Sequence, residues 1–290
     1  MPRVLIAGCG YLGQAVAELF LTGGWEIEGW TKSPDSAQQL STKSYPVHSV
    51  DISQADQVLA QRGDVDSVIH CASTRGGDVV SYRRVYLDGV RNLLKRFGGS
   101  RILFTSSTSV YAQGDGDWVT EESAAEPQHE TGKILRQAEN FVLAAGGVVV
   151  RLAGIYGPGR SALLKKFLSG EAVIDPKHNH FVNQVHRDDA AAALFRLVNR
   201  ETETGGIYNV VDNEPILLTE CYLWLAAKLN RSISHVGRSV GRSRSKRKRG
   251  ESNKRVSNAK LRAIGWTPRY PNFAEGMEKS VLSSFGREAA

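Results

Sequence analysis

Short apolar runs recur along the first half of the chain, and each is followed by a longer stretch with helical spacing of apolar residues. Residues 4–7, 27–31, 47–50, 67–72, 101–105 and 148–152 are short runs bounded by Gly, Asp or Ser. Several are rich in Val and Ile, so they read as strands buried on both faces, as in a parallel sheet. Between them, 12–22, 82–96 and 135–145 carry helix-like patterns. Strand–helix alternation of this kind predicts an α/β fold, a doubly wound parallel sheet with helices on both faces. A seventh strand is expected at 207–211, after a helix at 188–198. The rest lacks the alternation and is expected to form a smaller, mostly helical C-terminal subdomain. The predicted organisation is a main domain over 1–155, completed by about 184–215, with 156–183 and 216–290 as the subdomain.

Composition changes this picture little. The 290 residues are 41% hydrophobic and 23% charged, which suits a globular protein and excludes a disordered one. The formal charge of +7 invites a nucleic-acid reading, but its location argues otherwise. Nine Lys or Arg and one acid lie between Arg238 and Arg255, whereas the other 272 residues hold 28 bases and 29 acids. The basic character therefore belongs to one segment, 238–255, expected to be a mobile loop. No aromatic residue interleaves its charges, so base stacking is unsupported and nucleic acid is not an expected partner. Cys9, Cys71 and Cys221 lie far apart without C-x-x-C, which argues against a disulfide scaffold or zinc ribbon and fits a reducing cytoplasm. The chain leads straight into an apolar strand, so no signal peptide is expected. No apolar run approaches the roughly 18 residues a membrane helix needs. His178, His180 and His186 lack the further ligands of a metal site, and no metal is expected.

The clearest chemistry lies in Gly8-Cys9-Gly10-Tyr11-Leu12-Gly13, which matches G-x-G-x-x-G. It follows a strand and opens a helix, the context that makes the pattern informative. Gly8 allows the tight turn, Gly10 lets backbone N–H groups approach a pyrophosphate, and Gly13 lets helix and strand pack closely. This is a Rossmann dinucleotide-binding arrangement. NAD sites place an acid at the end of the second strand to bond the ribose 2′-hydroxyl. Here that position reads Thr31-Lys32-Ser33, a cation between two hydroxyls, which suits a 2′-phosphate. NADP is therefore the expected cofactor, with NAD as the alternative. Glu28 is the nearest acid but sits early in the strand.

Further motifs resemble those of the extended short-chain dehydrogenases/reductases, the nucleoside-diphosphate-sugar epimerase/dehydratase group. Asp51-Ile52 resembles the family's adenine-contacting pair, and His70-Cys71-Ala72, followed by Ser73, its H-x-A segment beside the cofactor. Ser106-Ser107-Thr108-Ser109-Val110-Tyr111 resembles the S-S-x-x-V-Y element, which puts the family's catalytic hydroxyl at Ser107. Arg151…Tyr156-Gly157-Pro158-Gly159, Val185-His186-Arg187-Asp188-Asp189-Ala190, Tyr208-Asn209-Val210 and Gly265-Trp266-Thr267-Pro268 resemble later landmarks. The G-x-G-x-x-G spacing, where typical members have G-x-x-G-x-x-G, places the likeness with an atypical branch. It implies Ser109, Tyr111, Tyr156 and Arg160 as substrate-side residues, a nucleotide sugar or related small molecule as substrate, and a homodimer.

One expected element is missing. The family's chemistry needs Tyr-x-x-x-Lys, whose lysine lowers the tyrosine pKa for proton abstraction. No tyrosine here has Lys four residues on. Aligned on Pro127, Gly132 and Ala138-Glu139, Thr131 stands where Tyr should be and Leu135 where Lys should be. A second register keeps a pair, His129 and Lys133, on one helix face at i, i+4. Two function classes follow. One is an NAD(P)-dependent epimerase/dehydratase-like oxidoreductase or isomerase acting on a hydroxyl or carbonyl substrate with a degenerate site. The other is a non-catalytic NADP(H)-binding sensor or partner-binding protein.

Overall fold

The computed structural model describes residues 1–74, 76–200, 205–235 and 252–285. Seven strands form the main sheet: β1 (Arg3–Ala7), β2 (Glu26–Thr31), β3 (Val47–Ser49), β4 (Ser67–His70), β5 (Arg101–Ser107), β6 (Val148–Leu152) and β7 (Gly206–Val210). They lie in the spatial order β7-β6-β5-β4-β1-β2-β3, all parallel. The order reverses beside β1, where Val4 pairs with Ile27 on one side and Ser67 on the other. Open parallel sheets bind ligands outside the carboxyl ends of their strands at such a reversal. The apolar runs form strands because both faces are covered. On one face Ile6, Val16, Phe20, Leu103, Val149 and Leu194 share a core. On the other, Leu5, Trp30, Ile52, Val68, Leu93 and Phe97 share a second.

Helix α1 (Tyr11–Thr22) crosses from β1 to β2 and packs on α4 (Arg187–Val198), with Phe20 edge-on to Phe195 at 4.9 Å. Helix α2 (Gly89–Phe97) continues from a π-helical stretch, Arg83–Asp88, and covers the opposite face. Helix α3 (Glu130–Ala144) leads into β6. It begins before the expected 135, with His129 as its N-terminal cap residue. A separate cluster of Tyr156, Leu164, Phe167, Tyr222, Phe273 and Met277 sits beside the sheet. Around it are helices Ala162–Leu168 and Leu218–Lys228 and short strand pairs, Phe181–Val182 with Ile216–Leu217 and Val173–Ile174 with Ser234–His235. Residues 236–251, most of the basic segment, lie outside the described residues. Its end departs from the expected loop: Lys254 is buried, and Arg255 begins a strand, Arg255–Val256, paired with Trp118–Val119. Among the described residues no helix is long and apolar enough to cross a membrane.

A polar network is buried where β5, α3, β6 and β7 meet. The Arg151 side chain is 1% exposed and that of Glu139 0%. Arg151 donates through Nε and Nη2 to the two Glu139 oxygens at 3.1 and 2.8 Å, a bidentate pair. Arg136 also reaches Glu139, and the Ser106 hydroxyl donates to it at 2.6 Å. Arg151 Nη1 donates to the Tyr111 hydroxyl at 2.7 Å, which donates in turn to Asn209 Oδ1 at 2.9 Å. Removing one member leaves a buried charge without its counterpart, which is more costly than losing the attraction alone. Glu139→Ala is expected to lower unfolding stability by about 3–5 kcal/mol, whereas Glu139→Met with Arg151→Met recovers most of it. Urea denaturation of the two variants measures the difference.

Candidate functional site

The glycine turn sits at the carboxyl end of β1, beside the reversal of strand order. Gly8 has φ of +104°, and a Cβ there would lie 2.2 Å from the Ala72 nitrogen. Gly13 is constrained differently: its Cβ would lie 2.3 Å from the Gly8 carbonyl oxygen. Gly10 meets nothing within 4 Å, so the backbone is open on that side. It precedes α1 without any side-chain cap, leaving the first-turn N–H groups facing that opening. An open turn, uncapped N–H groups and a helix dipole together accept an anion. Gly10, Tyr11, Leu12 and Gly13 thus form a backbone turn that is open beside Gly10 and uncapped at the start of α1.

Two arginines stack on the Tyr11 side chain. The guanidinium carbons of Arg160 and Arg187 each lie 5.1 Å from the Tyr11 ring centre. The Tyr11 hydroxyl donates to the Pro158 carbonyl at 3.0 Å, tying the glycine turn to the segment after β6. Arg160 was legible as a motif position; Arg187 was a gap in the sequence reading, since nothing linear places it on Tyr11.

At the end of β2, Thr31 is buried and Lys32 exposed. Lys32 Nζ lies 3.4 Å from Asp51 Oδ2, so two positions from separate motifs meet. The pair is solvated on the lysine side and adds little stability. Burial opposes ionisation of Asp51, but bonds from Ser53 and the Lys32 charge outweigh it and hold the carboxyl below its ordinary range. Ser33 caps the helix Pro34–Gln39 through its hydroxyl. Glu28 is committed elsewhere, to Arg3 and the Trp30 indole at 2.6 and 2.7 Å. Ile52 is buried under this corner, and the Cys71 and Ala72 N–H groups both bond the Ala7 carbonyl. Ser73 is exposed next to them.

The substrate-side residues divide. Ser107 ends β5, half-buried, and its hydroxyl accepts from the Ser109 N–H at 3.1 Å, capping the turn Thr108–Val110. Ser109 is half-buried on the same turn. Tyr111, expected to line the substrate, is instead buried with its phenol bound to Arg151 and Asn209. Tyr156 is likewise only 1% exposed, packed edge-on to His186. Both residues of the second register face solvent. His129 precedes the helix and is exposed, and Lys133 is exposed and paired with Glu130 at 2.7 Å. Leu135 lies in the core, 3% exposed, and Thr131 is half-buried. His178 and His180 bond Asp175 and a local carbonyl, and among the described residues no cluster could hold a metal.

The chain belongs to the NAD dependent epimerase/dehydratase family, whose model matches residues 4–210. Its curated relatives include Protein YeeZ of Escherichia coli K12, 29% identical over 223 residues, covering 72% of this chain and 77% of that protein. Among solved structures, a Methylobacillus flagellatus protein provisionally described as an NAD-dependent epimerase/dehydratase is 27% identical, with TM-score 0.78 over 98% of this chain and 99% of that one. The UDP-glucose 4-epimerase of Thermus thermophilus, solved with NAD, shares the fold at 20% identity, with TM-score 0.82 over the whole of both chains.

The crowding at Gly13 and the opening at Gly10 predict opposite tolerances. Gly13→Ala is expected to cost about 1–3 kcal/mol of stability, because backbone must move. Gly10→Ala is expected to cost under about 1 kcal/mol. Thermal melts of both variants check this contrast.

Proposed function

We propose that the chain binds a nicotinamide dinucleotide, NADP in preference to NAD, and acts on the hydroxyl or carbonyl carbon of a sugar nucleotide or related small molecule. The observation that carries this reading is the open, uncapped glycine turn at the carboxyl end of β1. Gly10 through Gly13 would hold the pyrophosphate, with Arg160 and Arg187 adding positive charge above it. Lys32, Thr31 and Ser33 would face a ribose 2′-phosphate, and Asp51 with Ile52 the adenine. Cys71, Ala72 and Ser73 line the next strand end. The dinucleotide, when bound, supplies a hydride acceptor or donor. Ser107 would orient the substrate oxygen, with Ser109 on the same turn. The lobe around Leu164, Phe167 and Phe273 is read as the substrate subdomain.

A second reading rests on Leu135. An apolar core residue fills the place of the family's lysine, and Thr131 that of its tyrosine. A chain that keeps the glycine turn and drops this pair also suits a dinucleotide-binding sensor without turnover. Titration of NADPH and NADH, read by quenching of tryptophan fluorescence, separates the outcomes when combined with UDP-glucose as a trial substrate. NADPH is expected to bind about tenfold tighter than NADH, a difference of about 1.4 kcal/mol. Lys32→Ala is expected to bring the two within about threefold, since one charged partner of the phosphate is lost. Binding without turnover favours the sensor; no binding of either nucleotide refutes both.

A further inference from the structure

Lys254 lies in the basic segment of the sequence, yet it is 3% exposed. Its ammonium donates to the Tyr111 carbonyl at 3.0 Å and to the Ser252 hydroxyl. An ammonium has three donors, and these contacts use two. Among the described residues no carboxylate pairs with it. A buried cation without a counter-ion is costly, and proteins seldom retain one idle.

Its place in the fold is as unusual as its burial. Tyr111 ends the turn that Ser107 begins: the Tyr111 N–H bonds the Thr108 carbonyl at 3.2 Å, and Ser107 caps the same turn. The Asn183 side chain bonds both the Lys254 carbonyl and the Val256 N–H, at 2.9 and 2.8 Å. The Asn183 carbonyl in turn accepts from Gly154, just past β6. Lys254 is therefore fixed outside the carboxyl ends of β5 and β6, on the edge of the sheet that carries the glycine turn. On the register anchored at Pro127 and Gly132, Thr131 and Leu135 stand on α3 where the family's phenol and ammonium would serve this same edge.

We propose that Lys254 is the acid–base group of this site, replacing the tyrosine–lysine pair from the opposite side of the cleft. This rests on the reading of the chain as a dinucleotide-dependent oxidoreductase. In the oxidation direction the substrate O–H bond breaks and its proton passes to the neutral Lys254 amine. The C–H bond on the same carbon breaks, its electron pair leaving as hydride to the oxidised nicotinamide, and the C=O bond forms. Reduction runs the same transfers backward, with the ammonium as acid.

Burial alone pushes the Lys254 amine down to about 8. The side chains of Arg255, next in the chain, and of Tyr111, whose carbonyl Lys254 bonds, are turned to other partners. Arg255 Nε bonds the Gly116 carbonyl, and the Tyr111 phenol bonds Arg151 and Asn209. An amine in this range is partly neutral near physiological pH and can both take and return a proton.

The test is an NMR titration of lysine labelled with carbon-13 at Cε, assigned with Lys254→Met, on the full chain alone and with NADP⁺ plus UDP-glucose. The expected midpoint for Lys254 is near 8. It should move by about half a unit or more when both ligands are present, as a neighbouring oxygen or charge changes the site. Lys254→Met should keep NADPH affinity yet lose about 100-fold or more in kcat for UDP-glucose oxidation, with little change in KM. It should also lose the rise in rate with pH centred near 8, the acid-side limb set by protonation of the amine, and Lys254→Arg, charged throughout, should not restore the rate. A midpoint above about 10, as for an ordinary lysine, overturns the proposal. So does a midpoint indifferent to both ligands, or wild-type kcat in Lys254→Met. If the wild-type protein binds neither dinucleotide, the underlying reading fails, and the proposal with it.

Discussion

The Arg151–Glu139 pair determines how the rest of the site is held. Both charges are removed from water, so they are stable only while each satisfies the other. Their partners come from β5, the turn after it, α3, β6 and β7, and one shift in any of these elements breaks several bonds together. Such a network rigidifies what it touches when fully satisfied. It fixes Ser106, and so the end of β5 on which Ser107 stands. The Ser107 hydroxyl therefore stands one residue from a member of a buried charge network.

This also explains why certain motifs could be read from sequence while their roles could not. Ser106, Tyr111, Glu139, Arg151 and Asn209 each belong to a motif by which the chain resembles its family, and all five are members of the buried network. Tyr111 was legible as a landmark, but its phenol serves the network and not the cleft. The sheet was legible because strands buried on both faces are written as short apolar runs, unbroken at 4–7 and interrupted at 148–152 by Arg151 alone. Gly8 and Gly13 were legible because their contacts are with backbone close in the chain or with the adjacent strand end. Lys254 was not, because its burial depends on Tyr111, far away in sequence, and its neighbours in the chain are a dense run of surface-type bases. Arg187 over Tyr11 escaped for the same reason.

The two halves of the site carry different sequence constraints. At Gly8 and Gly13 a side chain would strike backbone, so glycine is required there, and this half keeps the family's pattern with one altered spacing. On α3 the family relies on two side chains, and a helix tolerates many residues at such positions. Leu135 turned into the core contributes apolar burial there, a gain in stability on the order of 1.5–3 kcal/mol for a fully buried leucine. Once the lysine is replaced, that packing opposes its return.

Charge sharpens the same point. The net charge of the sequence comes almost wholly from one segment. A base exposed to solvent acts on distant partners weakly and in a salt-dependent way. A single cation withdrawn from water acts differently, because low polarity strengthens its attraction for any oxygen that approaches and makes its protonation sensitive to that approach. Lys254 follows the run Lys246–Arg249 by five residues and is itself withdrawn from water. Among the described residues of the segment Lys254 is the buried one, held just beyond the end of β5 where Ser107 also stands.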